Sequence, residues 1–187
     1  MFDTLAGLPM HPLIVHATAV VVPAAALAVA LAGVWPTFRA RTGPLALALS
    51  TLALVLVPMT VQSGDALRGR LPASELIDRH RDLGTGLLPW VIALVLAAGA
   101  TGWLRRGEMI RTRPAEADGG SGGPDDIPGP ARAARLTAVL VAIVAVVAAA
   151  GVVASVVRIG HSGAEAAWSD VATTTTGHAT PEPRRQG

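Results

Sequence analysis

The chain has 187 residues, 51% of them apolar and only 15% charged, with a net charge of +2. Soluble domains usually carry about 25% charged residues, so this composition points to a membrane protein, and the small net charge without a dense basic cluster excludes nucleic acid as a partner. There is no cysteine, which removes disulfides, iron–sulfur ligation and thiol chemistry.

The apolar residues gather into four blocks, near 12–34, 44–62, 83–104 and 136–157. Each is close to the ~20 residues that cross ~30 Å of hydrocarbon as a helix. Backbone groups in lipid must satisfy one another, so the blocks are predicted helices. The expected fold is all-α: an integral membrane four-helix bundle, up-down-up-down, within residues 1–172, with helices at about 12–34, 44–62, 75–104 and 134–160. The first block has Asp3 as its only early charge and exceeds the 7–15 apolar residues of a signal peptide, so it is read as a retained helix.

Helix 1 is expected to start at Pro12, since proline is tolerated in a first turn and disfavours helix in the residue before it. His11 would then be extended, and His16 would lie about 7 Å deeper at 1.5 Å per residue. Ala24, Ala28 and Ala32 recur every four positions and offer a surface for close helix contact. A short connection, 35–43, leads to helix 2, where Pro58 precedes Met59 near the far end. The next connection, 63–82, is polar, with Ser74 placed to cap a helix that runs through Glu75 and Asp78. On that helix Leu76, His80, Leu83 and Leu87 share one face, which turns His80 inward.

The stretch 107–130 contains Gly119-Gly-Ser-Gly-Gly among prolines and acids and reads as a flexible linker. Helix 4 ends in Arg158-Ile-Gly-His161-Ser-Gly163, and the spacing of Arg158, His161, Glu165 and Trp168 allows a short helical extension. Residues 173–187 read as a disordered tail.

Connections 35–43 and 105–135 hold eight arginines near the membrane boundary, and the opposite side holds five. The positive-inside rule places the first group in the cytoplasm of a plasma (inner) membrane protein, with both termini extracytoplasmic. On that outer face the hairpin topology gathers His11, His16, His80 and His161, together with Met10 and Met59. Imidazole ligates haem iron and copper, and thioether sulfur suits Cu(I). Four-helix bundles commonly hold such groups between facing helices. The expected centre is His16, His80 and His161, with His11 auxiliary. A catalytic triad has little support, because Ser162 stands directly beside His161 and no further partner is indicated. The mid-membrane portions carry only hydroxyls such as Ser50, Thr51, Thr101 and Ser155, so no ion or proton path is expected.

The opening His11-Pro-Leu-Ile-Val-His16 resembles the His-Pro-Leu-x-Val-His-Phe-Pro pattern of a family of bacterial membrane proteins, the domain of unknown function 2231. His80 and Gly160-His-Ser-Gly163 are similar to further motifs of that family, and the likeness spans about 8–168. Ala17-Thr18 stands where the family has Phe-Pro. The resemblance implies four membrane helices, and the fusion of some members to Rieske-type domains implies redox work. The expected function is therefore a membrane redox or electron-transfer component holding b-type haem or copper. Its expected partners are the lipid bilayer, a membrane redox partner and further copies in a homo-oligomer. The alternative is a non-enzymatic membrane subunit or scaffold whose histidines are structural.

The topology is testable by single-cysteine labelling, because the native chain supplies no background thiol. A cysteine within 119–123 should resist an impermeant maleimide in intact cells and react after lysis. Labelling before lysis would invert the assignment.

Overall fold

The computed structural model describes residues 4–5, 8–69, 74–111 and 129–176. The chain opens with a minimal antiparallel pair, β1 (Thr4–Leu5) and β2 (Leu8–Pro9), in which Thr4 faces Pro9 and Leu5 faces Leu8. Helices α1 (Met10–Val34), α2 (Pro36–Arg68), α3 (Glu75–Thr85), α4 (Leu88–Arg111) and α5 (Gly129–Thr176) follow. Four spans among the described residues are long and apolar enough to cross a membrane, with α3 and α4 forming the third together. The protein is thus a multi-pass, all-α four-helix bundle. In it α1 packs on α2 and α5, and α4 does the same from the opposite corner. Helix α3 lies against α2 and α5 at one end.

The helix limits depart from the sequence expectation in informative ways. Helix α1 begins at Met10 instead of Pro12. Pro12 falls in the first turn, where its missing N–H has no intrahelical partner to lose. The connection expected at 35–43 shrinks to Trp35, with Pro36 in the first turn of α2. What makes so tight a reversal affordable is Arg39, buried at 2% exposure, whose Nη1 donates to Ala32 O at 2.8 Å and Gly33 O at 3.2 Å. These are end-of-helix carbonyls of α1, and a cation there also complements the helix dipole. Arg105 Nε donates to Ala40 O at 2.9 Å and ties the third span to the same corner. Ser74 holds the N-cap position of α3 with extended backbone, but its side chain makes no capping bond. Helix α4 runs to Arg111 and α5 from Gly129 through Thr176, so both ends of the expected linker and the start of the expected tail are helical. The remainder of linker and tail, 112–128 and 177–187, lies outside the described residues.

The core is made of small residues at alternating three- and four-residue steps. Val22, Ala25, Val29 and Ala32 form the buried stripe of α1, and Ala46, Ser50, Ala53 and Val57 that of α2. This spacing follows the ~3.5-residue repeat that keeps one seam against a neighbour. The strict four-step row foreseen on α1 drifts off the seam: Ala24 is exposed, Ala28 half-buried and Ala32 buried. The large apolar side chains, among them Leu27, Leu96 and Leu140, face outward. That inversion of a soluble protein's pattern is expected where lipid is the solvent.

Between α1 and α5 the contact is close at Gly33, where an added Cβ would lie 2.8 Å from Ala145 Cβ. By contrast nothing lies within 4 Å of a Cβ at Gly99. Gly33→Val should therefore cost about 1–3 kcal/mol through overpacking, while Gly99→Ala leaves stability equal or slightly raised. Thermal denaturation in detergent reads the difference, and equal melting of both variants would contradict the close α1–α5 packing.

Candidate functional site

At the end of the bundle where α1 begins and α2 finishes, the helices enclose a cavity of about 540 Å³. Known ligand pockets span ~300–1,000 Å³. Its wall is mostly aliphatic, from residues such as Val57, Leu87, Val156 and Ile159, and its polar groups are few: His11, His80, Thr18, Thr60 and the rim charges Asp65, Arg68 and Arg81.

Two of the four histidines face this space. His11 lies within α1, one turn before Val15, and the inward stripe continues through Thr18 and Val22. Its Nδ1 lies 2.9 Å from Ser63 Oγ of α2. Ser63 Oγ is also 2.9 Å from Thr60 O, which can only accept, so the hydroxyl proton belongs there. The assignment that satisfies both contacts has His11 donating Nδ1–H to Ser63 and retaining a lone pair on Nε2. His80 repeats the arrangement. Its Nδ1 is 3.0 Å from Ser162 Oγ, and Ser162 Oγ donates to Ile159 O at 2.9 Å. Each ring lies over a glycine. A Cβ added to Gly64 would be 3.2 Å from His11 Cε1, and one added to Gly163 would be 3.1 Å from His80 Cε1.

The other two histidines point elsewhere. His16 is exposed, and its Nδ1 donates to Pro12 O at 2.6 Å, back along its own helix. His161 has a side chain 75% exposed and meets Glu165 Oε1 at 3.1 Å through Nε2. The order expected for His11 and His16 is therefore reversed. Once the helix starts at Met10, five residues at 100° each place His16 about 140° around α1 from His11. The stripe 11-15-18-22 follows from that start and includes His11 only because the helix begins before it. Met59 is 40% exposed, on the outside of α2, and the side chain of Met10 lies outside the described residues. Serines 63 and 162 escaped the sequence reading as ring-orienting groups, although each precedes a glycine at the end of its span, a repeated Ser-Gly that could have shown them.

Thr18 and Thr60 join α1 to α2 below the rings, with their hydroxyls 2.7 Å apart. Above the rings, ion pairs hold α3 in place: Arg81 binds Asp65, Arg68 Nε meets Asp78 at 2.6 Å, and Arg79 approaches Glu165 at 3.8 Å. Among the described residues no group of three or more His, Asp or Glu side chains is arranged to hold a metal ion. The nitrogen donors that line the cavity are the imidazoles of His11 and His80, with the Asp65 carboxylate at its rim. Compared with protein families, curated proteins and solved structures, the chain matches none.

If the imidazole–serine contact is as described, substitutions at its two ends are not independent. His80→Ala and Ser162→Ala should couple by about 0.5–1.5 kcal/mol in a double-mutant cycle. His16→Ala should change stability by less than about 0.5 kcal/mol. Additive effects at positions 80 and 162 would remove the contact from consideration.

Proposed function

We propose that this protein is a redox component of the plasma membrane that holds a metal-centred cofactor, b-type haem or copper, between His11 and His80 on the extracytoplasmic side. The supporting observation is that both rings line one largely apolar cavity and each has Nδ1 engaged by a serine, which leaves Nε2 as the ring nitrogen without a protein partner in these contacts. Metal-binding histidines are ordinarily oriented in this way, through a hydrogen bond from the other ring nitrogen. Such a cofactor would supply one-electron chemistry. The chain's own part is to present two imidazole donors, to surround them with aliphatic side chains, and to place them near one membrane face for a redox partner. The motif likeness to the domain of unknown function 2231 family, with its Rieske fusions, favours the same reading. The arginine excess at the opposite end supports an outward-facing cavity.

One observation favours a second reading. Each imidazole–serine bond also joins two helices, α1 to α2 and α3 to α5, so the histidines would serve equally well as clamps in a non-enzymatic subunit or scaffold. An absorbance spectrum and metal analysis of detergent-purified protein, from cells supplied with haem precursor and copper, separate the two. Haem gives a Soret band and copper a stoichiometric metal content. A colourless, metal-free preparation that also fails to take up added haemin or copper supports the clamp reading.

A further inference from the structure

The cavity is built twice from the same plan. His11, Val15 and Thr18 line it from α1, and residues 69 positions later, His80, Gly84 and Leu87, line it from the third span. From α2 come Val57, Thr60 and Gly64, and 99 positions later α5 contributes Val156, Ile159 and Gly163. The same offsets carry into the core below. Val22, Ala25 and Val29 are buried where Val91, Leu94 and Ala98 are, and Ala46, Ser50 and Ala53 correspond to Ala145, Ala149 and Val152. The hydrogen bonds match as well. The ring-to-serine distances are 2.9 and 3.0 Å, and both serine-to-carbonyl distances are 2.9 Å. In each half Nε2 would be 4.0 Å from a Cβ on the glycine that follows the serine. Helix packing obeys the same exchange, with α1 on α5 as α4 is on α2.

A register kept over four helices, with hydrogen bonds that agree between halves, describes two copies of one helical hairpin related by a pseudo-twofold axis along the bundle. The rim departs from it: Arg81 corresponds to Pro12 and Asp65 to Ala164. We infer that the cavity is a duplicated half-site that takes one ligand on this axis, with His11 and His80 as equivalent donors, and that the ligand is an iron tetrapyrrole. The inference rests on the metal-cofactor reading above and narrows it. Both imidazoles line one aliphatic cavity of about 540 Å³, and no group of three or more His, Asp or Glu is arranged to hold a bare metal ion among the described residues. An iron tetrapyrrole brings four donors of its own and would ask the chain only for the two imidazoles of His11 and His80. The aliphatic wall suits its apolar body.

The test uses the full chain in detergent, reconstituted with haemin. Wild type should show a six-coordinate, low-spin spectrum. His11→Gly and His80→Gly should each lose the low-spin bands completely and give superimposable high-spin spectra, and free imidazole should restore the low-spin form in both. If a glycine variant does not fold, His11→Met and His80→Met keep a metal-binding side chain and carry the same comparison. Bound haem with one variant unaffected would overturn the twofold assignment while leaving the cofactor reading intact. Stoichiometric copper without haem uptake would overturn the tetrapyrrole alone. No uptake of either by wild type would overturn both.

Discussion

Hydrocarbon offers a backbone no hydrogen-bond partners and drives no apolar side chain inward, so helices in it associate where their backbones can approach closely. In this protein that approach is set chiefly by alanine, glycine and valine on the inner seams, with most of the leucines on the outer surface and Leu94 an exception in the core. Gly33 against Ala145 marks the tightest point between α1 and α5. Where the seams are filled by small residues the bundle is closed, and the buried hydroxyls Ser50 and Thr101 turn back on their own helices' carbonyls. Nearer the histidine end a cavity opens between the same seams. Site and core are therefore one packing pattern with different side chains inserted.

The polar ties are placed by depth. At the arginine-rich end, Arg39 and Arg105 satisfy backbone carbonyls at the turn, which lets α1 reverse into α2 through Trp35. At the other end the two imidazole–serine bonds and the Thr18–Thr60 contact join facing helices inside the bundle. Charges appear only at the rim, where the participants have side chains roughly 40–65% exposed and each pair is worth little by itself. Three such pairs nonetheless fasten α3 to both α2 and α5. That helix has no buried residue of its own, and so depends on them and on the half-buried face that carries His80.

Much of this was legible in the order of residues. Four apolar blocks of membrane-spanning length dictated the all-α bundle, because lipid permits no other backbone solution for such segments. Hairpin topology then carried the four histidines to one end, and the stripe through Leu76, His80 and Leu87 turned His80 inward. Residues within one helix are related by a fixed rotation, so a stripe is a local property and survives translation from sequence to structure.

The choice between His11 and His16 belonged to tertiary structure. It hinged on whether the first turn begins at Met10 or at Pro12, a difference of two residues that becomes a difference of facing. Local rules at a proline do not settle it, since either start leaves the proline harmless. The reversal at Trp35 likewise needed Arg39 to fold back on carbonyls six and seven positions earlier, which no local propensity encodes. The serines that orient the rings stand 52 and 82 positions from them in the chain, and only the packing of the four helices makes them neighbours. Sequence by itself determined which segments are helices and at which end the histidines gather; the meeting of helix faces in three dimensions decided which imidazoles enter the cavity and which nitrogen each presents.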